Sequence, residues 1–129
     1  MITKKIISAT VAALGSTVTA SFYGIRGTLR KLQIVCPAID ATDTFAWELH
    51  DAASEIMHSA TGLTQNDTYT YPVAGDAAAL QTWFTNADFY STDPTAQSGA
   101  VKLTTSTNQT ADRVFTIRLW FDEKGAYVC

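Results

Sequence analysis

The sequence predicts an all-β protein, an antiparallel β-sandwich or jelly roll with one short helix. The 129-residue chain is 47% hydrophobic and rich in residues that favour strands, such as threonine, valine and the aromatics. Apolar and polar residues alternate in several short segments, and turn-forming residues separate these segments. A chain of this length fits one domain, so we expect a single β-sandwich domain over residues 1–129.

The first element is expected to be an N-terminal arm or strand within residues 1–14. Ile7, Ala9 and Val11 alternate with more polar neighbours, which is the period of a strand with one apolar face. The same segment has the outline of a secretory signal peptide, with lysines, an apolar run and small residues. Polar residues interrupt that run, so we favour a structural strand.

Two strands follow, separated by a turn that contains Gly24 and Gly27. Alternation assigns their apolar faces to Val18, Ala20 and Phe22 in the first strand and to Leu32, Ile34 and Cys36 in the second. We expect the two glycines to permit positive φ at a hairpin or bulge. Pro37 closes the second strand.

The next two segments are predicted to form a hairpin around a tight turn at residues 51–54. The expected faces are Phe45, Trp47 and Leu49 in the first strand and Ile56, His58 and Ala60 in its partner, which ends at Gly62. A turn at Asn66-Asp67 then leads into a short strand with Tyr69, Tyr71 and Val73.

A surface excursion is expected over residues 76–100, because this stretch is rich in polar turn-forming residues. Asp76 is suited to cap the short helix, which would run to Trp83. Two strands finish the chain, the first with Val101 and Leu103 on one face. The last strand places Phe115, Ile117, Leu119 and Phe121 on one face and Thr116, Arg118 and Trp120 on the other, so we expect it to be central in its sheet.

The charge pattern argues against two classes of partner. A net charge of −3 and an isoelectric point near 5.1 do not suit a nucleic-acid binder, and no apolar run is long enough to span a membrane. Arg26, Arg30 and Lys31 form the one local basic cluster. We interpret it as a solvated strand face, with a docking patch for an acidic partner as the alternative.

Catalytic and metal-binding motifs are not apparent in the sequence, so we expect no enzyme activity, no cofactor and no metal site. His50 and His58 lack a metal-ligand spacing, and His50 and Asp51 would point to opposite faces of a strand. Cys36 is expected to be a small buried hydrophobe. Cys129 is expected to be exposed, which leaves a bridge within or between chains open.

Two aromatic pairs, Trp83-Phe84 and Phe89-Tyr90, stand out because they lie in the polar excursion. If exposed, they would be anchors of a protein interface. The alternative is that they fold back and cap an open end of the sandwich.

Three stretches, "GSTVTASFYGIRGTLRKLQIVCPA", "TDTFAWELHDAASEIMHSATGL" and "RVFTIRLWF", resemble small β-sandwich virion proteins of tailed bacteriophages. The resemblance covers roughly residues 15–63 and 113–121. In those proteins a glycine commonly follows the aspartate of the hairpin turn, whereas Asp51 is followed here by Ala52. The excursion has no counterpart that we can assign.

The resemblance implies a capsid cement or decoration protein that is assembled in the host bacterial cytoplasm and located in the virion. Its partners would be the major capsid protein or other virion subunits, and it would self-associate, with a trimer favoured. The contact residues would be Trp83, Phe84, Phe89 and Tyr90, with Arg26 and Arg30 as the polar rim. A neck, tail or fibre component and an extracellular binding module are the alternatives.

Overall fold

The computed structural model describes residues 2–25, 27–71, 88–89 and 95–123. These parts contain strands and turns but no helix, so they include no helix that could span a membrane. The strands are β1 (Ile2–Val11), β2 (Thr17–Tyr23), β3 (Gly27–Cys36), β4 (Thr44–Asp51), β5 (Ile56–Thr64), β6 (Asp67–Tyr71), β7 (Asp88–Phe89), β8 (Gln97–Thr105) and β9 (Arg113–Glu123). The all-β prediction is confirmed.

Two antiparallel sheets pack face to face. The larger has the order β1-β9-β3-β6, with the short β7 also paired to β3, and the smaller has the order β2-β8-β4-β5. Strands that follow one another in the chain thus alternate between the sheets at several points, as in a jelly roll built from two Greek keys. The chain is therefore a β-sandwich with jelly-roll strand order.

The glycine turn between β2 and β3 leads from one sheet to the other. The prediction of a hairpin at this turn is therefore wrong. β2 pairs with β8, whereas β3 pairs with β9 and β6. Gly24 has a φ of 68°, as expected for a residue that must adopt a left-handed conformation. The hydroxyl of Ser98 holds the crossing by accepting a hydrogen bond from the amide of Ile25 at 2.7 Å.

The core lies between the sheets, and β9 is central to it. β9 lies between β1 and β3, and its four predicted apolar residues are fully buried. The rings of Phe45 and Phe115 meet across the sandwich with centroids 5.5 Å apart in an edge-to-face arrangement. The predicted inward residues of β2, β3, β4 and β8 are also buried, except that Val18 is only partly so.

β1 pairs with β9 along its whole length, from Ile2 opposite Asp122 to Val11 opposite Arg113. Ala9 and Val11 are buried, and Ile7 packs partly against the core. This opening segment is part of the sandwich, as expected for a structural strand.

Two bulges interrupt the β4–β5 pairing. Leu49 pairs with His58 and His50 pairs with Ile56, so Met57 is an extra residue between them. Met57 packs against the core, whereas 57% of Ile56 is exposed. The expectation that Ile56 shares a face with His58 is wrong, because the bulge shifts the alternation by one residue.

The predicted tight turn at residues 51–54 is confirmed. The Asp51 carboxylate accepts hydrogen bonds from the amides of Ala53 and Glu55, each at 2.9 Å, and Ser54 has a φ of 65°. The predicted helix from Asp76 to Trp83 lies outside the described residues, as does Val73. β8 begins at Gln97, so the last residues of the predicted excursion are in a strand.

Candidate interaction surface

A row of three side chains crosses the outer face of the larger sheet. The strand register places Lys4 of β1 and Lys31 of β3 on either side of Trp120 of β9. The Nζ atoms of Lys4 and Lys31 lie 5.3 Å and 4.6 Å from the centre of the Trp120 ring, within the range of cation–π interactions. Both lysines are exposed and Trp120 is partly buried. The row is thus cationic, aromatic and open to solvent.

The adjacent row combines a cation with an exposed aliphatic side chain. Arg118 donates a hydrogen bond to Oε1 of Gln33 at 2.9 Å, and Gln33 in turn donates to the hydroxyl of Thr70 at 3.1 Å. Ile6 pairs with Arg118 on the other side, and 60% of Ile6 is exposed. Ile6 thus adds exposed apolar surface beside the cations of this face.

A bulge in β3 adds a further cation to this face. Leu29 pairs with Phe121 and Lys31 pairs with Trp120, so Arg30 is an extra residue in the strand. Leu29 points into the core, while Arg30 and Lys31 are both exposed. A regular strand would have turned one of these two basic residues inward, because successive side chains alternate between faces.

Arg30 donates a hydrogen bond to Oδ2 of Asp122 at 3.2 Å, in an exposed ion pair. The guanidinium of Arg30 is the main reason that the pKa of Asp122 is lower than usual. We call Lys4, Arg30, Lys31 and Arg118, together with Trp120, the basic face.

Of the six predicted contact residues, Arg30 is the one whose side chain falls within the described residues. β7 pairs with Gly27 and Thr28, so the backbone of Phe89 lies at the start of β3. Arg30 and Phe89 are thus brought to the same end of the larger sheet. The remaining four lie outside the described residues, and they are Arg26, Trp83, Phe84 and Tyr90.

Sequence reasoning did not select Lys4, Arg118 or Trp120 as contact residues. A signal was present, because the alternation in β9 places Arg118 and Trp120 on the face opposite the core. Lys4 had no such signal, because only the β1–β9 register places it beside Trp120.

A polar network holds the loops at the end of the sandwich opposite to β7 and Arg30. The Asp43 carboxylate accepts a hydrogen bond from Nε2 of Gln109 at 2.9 Å and another from the Thr107 hydroxyl. The Asp40 carboxylate accepts from Arg113 and from Thr110. The pKa values of both aspartates are lower than usual, chiefly because of the Thr107 hydrogen bond to Asp43 and the Arg113 hydrogen bond to Asp40. Each of the two carboxylates accepts hydrogen bonds from more than one neighbouring residue, which indicates a structural role for the network.

The two histidines point to different sides of the smaller sheet. Nε2 of His50 lies 2.9 Å from Oε1 of Glu48 on the outer face. His58 pairs with the buried Leu49, and partial burial lowers the pKa of its imidazole. Within the described ranges, no three metal-ligating side chains of the His, Cys, Asp or Glu type come together.

The chain shares low similarity with several solved structures. A Yersinia pseudotuberculosis-derived mitogen is 10% identical, with a TM-score of 0.48 over 98% of this chain and 92% of that one. A chain of broad bean stain virus is 10% identical, with a TM-score of 0.47 over 95% and 87% of the two chains. A capsid chain of a Helicobacter pylori bacteriophage is 14% identical, with a TM-score of 0.35 over 94% and 92%.

No protein-family model and no curated protein matches the sequence. The TM-scores above are all below 0.5, so these likenesses carry no argument about function. One fold also serves many functions, and the function must be argued from the surface of this chain.

Proposed function

We propose that this protein is a non-enzymatic structural component of a virion, of the capsid cement or decoration type. The observation that carries the proposal is the outer face of the larger sheet. Its row of Lys4, Trp120 and Lys31, with the exposed Ile6 beside it, suits contact with another protein. Jelly-roll domains are also among the folds from which viral shells are built.

The proposed action is mechanical. A rigid sandwich would lie across neighbouring capsid subunits and bury surface on both, which raises the free energy needed to separate them. Self-association, with a trimer favoured, would multiply weak contacts into firm attachment. Trp83, Phe84, Phe89, Tyr90, Arg26 and Arg30 stay in the proposal as contact residues. Of these, the backbone of Phe89 and the side chain of Arg30 lie at the end of the larger sheet where β7 pairs with β3.

A second candidate is that this chain is itself the subunit of the shell. The strand order favours it, because the jelly roll is a fold found in viral capsid domains. The two candidates differ in which protein is most abundant in the particle.

The test is the copy number of this chain in purified particles, measured by quantitative mass spectrometry against the other particle proteins. We expect a number comparable to that of a separate major capsid protein. If this chain were instead the most abundant protein, it would be the shell subunit. A few copies per particle would assign it to the neck, tail or fibre. Its absence from particles would overturn the virion proposal and favour an extracellular binding module, which binding to a glycan array would test.

A further inference from the structure

We propose that the basic face binds an acidic protein surface, whose carboxylates pair with Lys4, Lys31 and Arg118 around Trp120. The proposal rests on the proposed function, because it names the face through which the protein docks and the charge of its partner. It also restores the docking interpretation of Arg30 and Lys31, which the sequence alone left as an alternative.

Charge is unevenly distributed over the surface of the molecule. Among the described side chains on the outer face of the larger sheet, four are cations and one is a carboxylate, that of Asp122, although the whole chain has a net charge of −3. Positive charge is therefore concentrated on one face of an acidic protein. A partner that matches this face must be acidic, because like charges across an interface are strongly unfavourable.

Among the described side chains, three of the four cations of the basic face form no ion pair with a carboxylate, and Arg118 is hydrogen-bonded to Gln33 instead. Within the described residues, Arg30 forms an ion pair with Asp122, whereas neither Lys4 nor Lys31 forms a salt bridge. Their ammonium groups rest on the Trp120 ring instead. The ring restricts both side chains, so less conformational entropy is lost when a partner's carboxylate binds them.

The arrangement of the basic face favours an acidic protein over a nucleic acid as the partner. A base would have to stack on Trp120, and the Lys4 and Lys31 ammonium groups already lie over that ring. Nucleic-acid affinity also grows with the number of phosphates that lysine and arginine neutralise, and the described side chains of this face supply four cations. Separate carboxylates on a folded surface can meet the cations one at a time.

The test measures binding of a fluorescently labelled deca-glutamate peptide by anisotropy at about 20 mM salt, where screening is weak. The variant Lys4→Gln/Lys31→Gln removes two charges from the basic face. The matched control Lys5→Gln/Lys102→Gln removes two charges elsewhere, so both variants have the same net charge. Circular dichroism and thermal unfolding establish that each variant is folded.

We expect the Lys4→Gln/Lys31→Gln variant to bind the peptide about tenfold more weakly than the control does. Equal weakening in both variants would mean that only net charge matters and would overturn the inference, as would absence of peptide binding by the unchanged protein. Tighter binding of an oligo(dT) of equal length, with the same dependence on Lys4 and Lys31, would overturn the choice of a protein partner. The assay contains no virion, so its failure is distinct from a failure of the copy-number test.

Discussion

The Cys36 thiol lies in the core at the end of β3, with 2% of the residue exposed. Burial raises the pKa of this thiol to about 11, and the thiolate is the form that reacts. In a Cys129→Ser variant at pH 8, we therefore expect Cys36 to react with a disulfide reagent about a hundredfold more slowly than a free thiol. Unfolding in urea should restore the normal rate. Rapid reaction of the folded protein would contradict the buried position.

The carboxyl of Asp43 makes the stability of the protein depend on pH. The pKa of this carboxyl is lower in the folded state than in the unfolded state, where it is near 4. Its contribution to the free energy of unfolding is therefore fully present above about pH 4 and is lost as the pH falls through the pKa of the folded state. We expect Asp43→Asn to lower the urea midpoint at pH 7 and to have a smaller effect near pH 2.5. An equal loss at both pH values would show that the charge of Asp43 does not matter.

β5 depends on a glycine at a bulge. Gly62 has a φ of 65°, and a Cβ built at this position would meet no atom within 4 Å. Any cost of a side chain therefore comes from the backbone conformation alone. We expect Gly62→Ala to lower the free energy of unfolding by about 1 kcal/mol and Gly62→Asn to lower it less, because Asn tolerates this conformation better. Equal losses in the two variants, measured by urea unfolding, would contradict this explanation.

β9 allows a comparison of neighbouring residues on its two faces. Phe115 is fully buried, whereas 51% of Val114 is exposed. We expect Phe115→Ala to lower the free energy of unfolding by about 3–5 kcal/mol, because it removes core contacts and leaves a cavity. Val114→Ala should cost less than about 1 kcal/mol. Similar losses for the two variants would mean that β9 is not oriented as described.

Individual strands could be predicted wherever alternation is unbroken. The buried faces of β4 and β9 follow directly from their apolar residues, because a period of two admits only one such face. The bulges at Arg30 and Met57 could not be predicted. Each inserts one residue without a change in composition, and only the register of the partner strand reveals it. The bulge at Met57 is the reason that Ile56 was predicted on the wrong face of β5.

The arrangement of the strands into two sheets could not be predicted from the sequence. Gly24 favours a turn in either a hairpin or a crossing, and long-range pairing with β8 and β9 decides between them. Long-range strand pairing also creates the basic face. Lys4 comes from the start of the chain, Lys31 from its first third and Trp120 from near its end. Sequence reasoning found Arg30 and Lys31 together, but it could not bring the other residues to them.

At the scale of the whole molecule, the central claim is that the protein docks on a virion through its basic face. The most direct measurement is the copy number in purified particles of the unchanged protein, of Lys4→Gln/Lys31→Gln and of the control Lys5→Gln/Lys102→Gln. We predict that the basic-face variant is depleted several-fold while the control is retained, because two contacts with the acidic partner are lost. Retention of the basic-face variant at the unchanged copy number would contradict the claim.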